Sequence, residues 1–423
     1  MNIILMFALA LIVLLYFWIA YNVPILIVGV RHALRANRRK KETTGKSETK
    51  NADLPTVTIV VPVKDEERVV RRLLDALLRL KYPPGKKEIV MIEDASTDQT
   101  PEVCREYVRK HPSMIRFFHR DRSEGKPSAL NYGFAQAKGE IVAVFDADNV
   151  PEPDILEKAV RYFEDPSVAA VQGTTCAINA EESMLTKIIS YEEAVWLKNY
   201  LQGKDTLNLF VPLTGSCQFI RRDVAKEVGL WDENCLAEDL EMAARITENG
   251  YNIRFAPDLV SWQEAPSKIS QLIRQRIRWY RGYMEVAIKY GRFLKKLEKK
   301  TFDAEVTLIG PYVLASFFLS YLMSVYFSIF PVDAPVLLVM TKITLMFTMF
   351  TLLTAGVALV CATRPMRIKN ILWLPFIYVY LSLQCVLAAT AFMQIMFRRP
   401  RRWTKTEKTG SATRNPARSA LET

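Results

Sequence analysis

The sequence predicts an α/β domain enclosed between membrane-crossing helices. Three observations predict it: an uncharged apolar stretch at residues 3–30, a polar region of alternating strand-like and helix-like segments to about 304, and further apolar stretches near 305–331, 335–362 and 371–397. Each apolar stretch exceeds the roughly 20 residues a helix needs to cross a bilayer core. The expected division is a transmembrane helix at 1–30, a basic linker at 31–53, a globular domain at 54–263, interfacial helices at 264–304, a transmembrane region at 305–397 and a basic tail at 398–423.

The first stretch lacks a basic leading region, is too long for the core of a signal peptide and has no small-residue cleavage site after it, so a retained span is expected. The net charge of +12 is concentrated beside the apolar stretches, at Arg31, Arg35, Arg38, Arg39, Lys40 and Lys41 and again at Arg398, Arg399, Arg401 and Arg402. Such a distribution follows the positive-inside rule and predicts an integral protein of the plasma (inner) membrane with the polar domain in the cytosol. It reads as attraction to anionic membrane lipids, and nucleic acid is not an expected partner. The six cysteines form no CxxC pair and no metal-ligand spacing, which suits reduced thiols in a cytosolic domain. A complete final crossing would strand the Arg398–Arg402 cluster on the far side. Part of 371–397, before or around Pro375, is therefore expected to lie in the interface or re-enter, returning the tail with Trp403 to the cytosol.

Within the polar region, TVTIVVPV (56–63) is a β-branched run suited to a buried strand. ERVVRRLLDALLRL follows, with Val69, Leu73, Leu77 and Leu80 at helical spacing, and KYPPG stops it. Then come a strand (EIVMIED), a helix (TPEVCREYVRKH), a strand (IRFFHR), a helix (SALNYGFAQAKG, closed by Gly139) and a strand (EIVAVFDAD). This alternation predicts a parallel sheet with helices on both faces. Ligands of such sheets bind beyond the carboxyl ends of the strands. Polar residues gather at those ends: Lys64, Asp65 and Glu66, then Glu93 and Asp94, then Asp146 and Asp148. No GxGxxG or GxxxxGK[ST] loop follows the first strand, which counts against dinucleotide binding and a P-loop ATPase.

Three clusters carry chemistry. In FDADN, Asp146 and Asp148 lie two residues apart past a hydrophobic strand. Mg²⁺ or Mn²⁺ prefers oxygen ligands and commonly bridges one or two carboxylates to substrate phosphates, so the pair is a candidate metal site; loop capping is the plainer reading. In AEDLE, Glu238 and Asp239 open a helix, where acids favour the dipole; the functional reading makes one of them the base for an attacking hydroxyl. In SQLIRQRIRWYRGYMEVAIKY, one face is apolar and another basic, as in a membrane-surface helix. Gln275, Arg278 and Trp279 sit together on it and are equipped to hydrogen-bond a phosphate or sugar and to stack on a ring.

Taken together these motifs resemble the processive inverting glycosyltransferases of family 2, which include cellulose, chitin, hyaluronan and poly-N-acetylglucosamine synthases. The resemblance spans nearly the whole chain and implies a Rossmann-like GT-A domain with interfacial amphipathic helices and α-helical transmembrane segments. It further implies that Pro62 and Glu66 form the first-strand nucleotide motif and that Asp94 holds a uracil base. Lys126 in GKPSALN would lie near the diphosphate, and Asp146 and Asp148 would match the DxD motif with Asp148 on the metal. Gly215 and Ser216 of TGSCQFIRR would face the acceptor, and Asp239, beside Glu238, would be the catalytic base. Gln275, Arg278 and Trp279 would form QxxRW, the element of processive enzymes. Two departures stand out: Ala237 replaces the usual threonine before Glu238, and Glu93 replaces the Asp or Asn found before the uracil-binding acid in many members.

The expected partners are a UDP-sugar, a growing polysaccharide or lipid acceptor, membrane lipids and an accessory membrane or export subunit. Two other readings stay open: a single-addition transferase making a glycolipid, and a transporter with a nucleotide-sensing domain. The second is weakened by spans with almost no charge and no internal repeat.

Overall fold

The computed structural model describes residues 3–40, 54–291, 298–331, 334–363, 366–401 and 405–411. Most of the expected linker, Trp403 and the tail beyond Ser411 lie outside these residues. The chain opens with α1 (Ile3–Lys40) and then enters the α/β domain: β1 (Val57–Val63), α2 (Val70–Leu78), β2 (Lys87–Asp94), α3 (Thr100–Lys110), β3 (Ile115–Arg120), α4 (Lys126–Gln136), β4 (Ile141–Val144), β5 (Val150–Pro151), α5 (Ile155–Tyr162) and β6 (Val168–Ala177). The amphipathic stretch that follows is α6 (Met184–Val195), a π-helical turn (Trp196–Leu201) and α7 (Gln202–Thr206). After β7 (Gln218–Arg221), α8 (Arg222–Val228), α9 (Glu238–Glu248) and β8 (Asn252–Gln263), the chain runs into α10 (Ile269–Tyr290), α11 (Lys299–Ile329), α12 (Pro335–Ala362), a 3₁₀ turn (Ile368–Trp373) and α13 (Leu374–Met396).

All eight strands form one sheet in the order β3-β2-β1-β4-β7-β6-β8-β5. The expected parallel pairing holds for β3, β2, β1 and β4. It fails beyond β4, where β7 is antiparallel to both β4 and β6. The sheet is therefore mixed, because the chain reaches β7 through a long excursion over α6 and α7 and not through a single crossover helix. Strand alternation separates two cores. Ile59, Val61 and Met91 meet Leu73, Leu77 and Phe145 on one face. Val60, Val90 and Ile92 meet Leu130 and Phe134 on the other.

Two expected boundaries shift. The helix read as closing at Gly139 ends at Gln136, with Ala137 extended; Gly139 instead lies so close to β1 that a Cβ there would stand 2.4 Å from the Thr58 nitrogen. The fourth strand stops pairing at Val144, which releases Asp146 and Asp148 into a loop.

Among the described residues, four helices are long and apolar enough to cross a membrane: α1, α11, α12 and the segment ending in α13. A buried ion pair locks two of them to the domain. Lys204 Nζ donates to Asp303 Oδ2 (2.8 Å) and Thr307 Oγ1 (2.6 Å). Asp303 also accepts from the Tyr21 hydroxyl (2.7 Å) and the Phe210 N–H (2.9 Å). The last apolar stretch is broken by the 3₁₀ turn, with Pro375 in the first turn of α13. Both ends of α13 are tied to helices flanking the domain. Tyr380 donates to Glu192 Oε2 (2.7 Å) near its start, and the carbonyls of Arg399 and Pro400 accept from Arg281 past its end (2.6 and 3.1 Å). Residues 405–411 lie against the α/β domain.

Candidate active site

The carboxyl ends of β1, β2 and β4 converge with the loop before β7, the start of α9, the middle of α10 and the tail. At the first two strand ends the loops brace each other. Lys64 Nζ donates to the carbonyls of Asp94 (3.2 Å) and Ala95 (2.9 Å), and Asp65 Oδ1 accepts from the Thr97 N–H (2.6 Å). Pro62 sits in β1 opposite Ile92. Asp94 is buried, with Oδ2 accepting from Ser123 (2.7 Å) and Oδ1 3.3 Å from Arg120 Nη1. Its neighbour Glu93 pairs with His119. Glu66 faces this corner, and burial pushes its carboxyl up to about 7 even though Lys405 Nζ lies 3.0 Å away.

Lys126, near the start of α4, reaches across to Asp146 Oδ1 (2.6 Å) and the Gly215 carbonyl (2.9 Å). Its ammonium is raised to about 12, because Asp146, Glu238 and Asp239 outweigh the burial that would lower it. Gly215 has φ +83°, and a Cβ there would fall 3.0 Å from Asp239 Oδ2 and 3.3 Å from Lys126 Nζ. Glycine is thus required twice, for the left-handed backbone and for the approach of the two charged groups. Ser216 is buried, and its hydroxyl is spent on the Asp146 loop: it accepts from the Asp146 N–H (3.1 Å) and donates to Asn149 Oδ1. Its place is therefore bracing that loop, beside the expected acceptor contact.

Asp239 stands in the first turn of α9 with Glu238 before it. Burial first, and then the like charge of Glu238, raise its carboxyl far above the ordinary range, against the pull of Lys126. Such a carboxylate is a stronger base than an exposed one.

Asp148 is buried and accepts from the Glu264 N–H (2.9 Å), while Lys408 Nζ lies 2.7 Å from Oδ2. Against the upward push of burial, Lys408, that N–H and Arg72 hold Asp148 below its ordinary value. The residues present fit a divalent cation: a buried, ionised carboxylate already holds a cationic stand-in, and Asp146 is two residues away. Among the described residues no cluster of three or more His, Cys, Asp or Glu could hold a metal alone. That suits a site completed by substrate phosphates.

The α10 residues divide. Gln275 is 3.4 Å from Thr406 of the tail. The buried Nε of Arg278 meets no acceptor among the described residues, and burial holds its guanidinium below its usual value despite the pull of Glu238, Asp239 and Asp146. Trp279 carries the Arg276 guanidinium over its ring at 4.7 Å from the centroid.

Sequence reasoning missed the tail and its seat. Lys405 and Lys408 enter the acidic corner, and buried Glu264 accepts from Arg72 (3.0 Å) and from the N–H groups of Thr409 (3.0 Å) and Gly410 (3.2 Å). No local signal points to this seat, because the partners of Lys405 and Lys408 lie far away in the chain.

A mixed α/β sheet with paired acids past β4, a buried acid at the head of α9 and flanking membrane helices defines a membrane-associated glycosyltransferase of the GT-A fold. The chain belongs to the family described as "Glycosyltransferase like family 2", whose pattern matches residues 55–282. It is 32% identical over 294 residues to the "Probable glycosyltransferase YdaM" of Bacillus subtilis (strain 168), covering 68% of each chain. It is 30% identical over 300 residues to a beta-monoglucosyldiacylglycerol synthase of Nostoc sp., covering 68% of this chain and 62% of that one. It is also 29% identical over 234 residues to a poly-beta-1,6-N-acetyl-D-glucosamine synthase of Staphylococcus epidermidis, covering 55% and 56%. Among solved structures, the mannosyltransferase PcManGT from Pyrobaculum calidifontis, in complex with GDP-Man and Mn²⁺, shares the fold with a TM-score of 0.58 at 20% identity, over 92% of this chain and 100% of that one.

Proposed function

We propose that this enzyme is an inverting, processive β-glycosyltransferase of the plasma (inner) membrane that takes a UDP-sugar in the cytosol, with UDP-N-acetylglucosamine the best fit, and extends a polysaccharide coupled to export. The observation that carries the reading is the cluster of Asp239, Lys126 and Asp146 around Gly215. There a base, a cation and a diphosphate-side carboxylate stand within reach of one small space.

In this reading the nucleotide lies over Pro62, Glu66 and Asp94, and Lys126 and Arg278 face its diphosphate. Bound Mg²⁺ or Mn²⁺, held by Asp148 with Asp146, would supply charge neutralisation for the leaving group. The Asp239 carboxylate takes the proton of the acceptor hydroxyl, whose oxygen bonds to the anomeric carbon from the face opposite UDP. The bond from that carbon to the UDP oxygen breaks, and UDP leaves with the electron pair. One proton moves to Asp239, one C–O bond forms and one breaks, giving a β-linkage from an α-linked donor. Gly215 and Ser216 border the acceptor side, and Glu238 keeps Asp239 basic. Lys408 already neutralises Asp148, so a cation held there would face the charge of the tail.

Export would run through the C-terminal helices, since an unpaired chain of hydroxyls is costly in lipid, with an accessory membrane subunit completing the path. A second reading, single addition to a lipid, is favoured by the match to the glucosyldiacylglycerol synthase, which extends over 300 residues. Purified protein incubated with Mg²⁺ or Mn²⁺ and a panel of UDP-sugars decides between them by UDP release and product size. A polymer is expected; a one- or two-sugar lipid selects the second reading, and no UDP release with any donor refutes both.

A further inference from the structure

We propose that Glu193 is a substrate-binding residue of this site, accepting a hydrogen bond from a sugar hydroxyl. The proposal rests on the transferase reading above. It starts from two consecutive carboxylates on α6 with opposite fates. Glu192 is engaged through Oε2, which pairs with Arg276 and accepts from the Tyr380 hydroxyl. The side chain of Glu193 makes no hydrogen bond or ion pair among the described residues, and its Oε2 is sealed from solvent without a donor.

A buried acceptor left unpaired costs about 1–3 kcal/mol, more when charged, so such atoms are uncommon where no ligand completes them. The charges that act on Glu193 after burial are Arg276, Glu192, Lys408 and Asp148. Its neighbour Glu192 is tied to Arg276 of α10, the helix that also carries Gln275 and Arg278, so Glu193 stands on α6 beside that helix and within electrostatic reach of the donor corner. Arg276 makes no hydrogen bond to Glu193: its Nη2 is given to Glu192 and its guanidinium lies over the Trp279 ring.

Burial pushes the Glu193 carboxyl up to about 7, so its ligand must suit both the ionised and the protonated group. A sugar hydroxyl does so, since it both donates and accepts, whereas a phosphate is repelled by the ionised form. That hydroxyl belongs either to the donor's ring or to the terminal sugar of the acceptor, and one set of variants separates the two.

Full-length Glu193→Ala and Glu193→Gln proteins in detergent are titrated with UDP and with UDP-N-acetylglucosamine in Mn²⁺, and transfer is measured against an added N-acetylglucosamine oligosaccharide. If the donor ring is the partner, Glu193→Ala loses about tenfold or more in affinity for the UDP-sugar while UDP binds unchanged. If the acceptor is the partner, both nucleotides bind as in the parent and the oligosaccharide KM rises by a similar factor. Glu193→Gln, which keeps an accepting carbonyl, retains more function than Glu193→Ala in either case. Unchanged sugar-nucleotide affinity together with unchanged acceptor KM overturns the proposal, and so does equal loss of UDP and UDP-sugar binding, the mark of a structural or metal-holding role. Insensitive variants of an active parent sink Glu193 alone; a parent that binds no UDP-sugar sinks the transferase reading and this proposal with it.

Discussion

Lys408 Nζ stands 2.7 Å from Oδ2 of Asp148, the carboxylate that would hold a divalent cation. Each partner depends on the other: burial would lower the Lys408 ammonium, yet Asp148 raises it, and Lys408 helps keep Asp148 ionised. A divalent cation on Asp148 would stand beside the Lys408 ammonium and be repelled by it, so metal and tail are expected to compete. Lys408→Met is expected to lower the Mn²⁺ concentration that half-saturates UDP binding, measured by equilibrium dialysis. A higher requirement would mean that the tail helps to hold the nucleotide.

Asp239→Asn keeps the shape of the side chain and removes the base. Transfer is expected to fall about 10³-fold, while titration shows UDP-sugar binding close to that of the parent. Normal turnover by this variant would remove Asp239 from the mechanism.

The raised carboxyl of Asp239 gives a pH dependence with a definite sign. Only the ionised form accepts a proton, and its folded-state value is shifted upward to about 7 by burial and Glu238. The pH profile of kcat/KM should therefore climb through the acid range and level off above that value. Glu238→Gln removes the neighbouring like charge and should move the acid limb to lower pH. A limb that stays in place would assign the titration to another group.

How much of this was legible in the sequence differs from residue to residue. The first half of the sheet was readable because each strand is a continuous apolar run and each helix an amphipathic one, so Val57–Val63 and Lys87–Asp94 fell where expected. The acids were readable because Asp146, Asp148 and Asp239 follow local patterns on element ends. The order of β7, β6, β8 and β5 was not readable, since antiparallel insertion depends on contacts between segments far apart in the chain. Lys405 and Lys408 were hidden for the same reason: nothing local to a basic tail tells that Asp148 and Glu66 will be its partners. Glu193 belongs to no local motif, and its isolation emerges once Arg276 is seen to pair with Glu192.

The Lys204–Asp303 pair predicts a stability effect away from the chemistry. Both side chains are almost fully buried, so removing one partner leaves an uncompensated charge, at a cost of about 3–5 kcal/mol. Lys204→Met should lower the Tm of the detergent-solubilised protein sharply. The double variant Lys204→Met with Asp303→Leu should recover part of the loss. A single variant as stable as the parent would show that the pair carries little of the link between α1, α7 and α11.

The central claim is that the corner of Asp148, Lys126 and Asp239 transfers a sugar from a UDP donor with inversion. Its most direct test is nuclear magnetic resonance of the product made from α-linked UDP-N-acetylglucosamine by the purified enzyme, with Asp239→Asn run beside it. The prediction is stoichiometric UDP, a newly formed β-anomeric linkage and a silent variant. An α-linked product, or equal product from the variant, would contradict it.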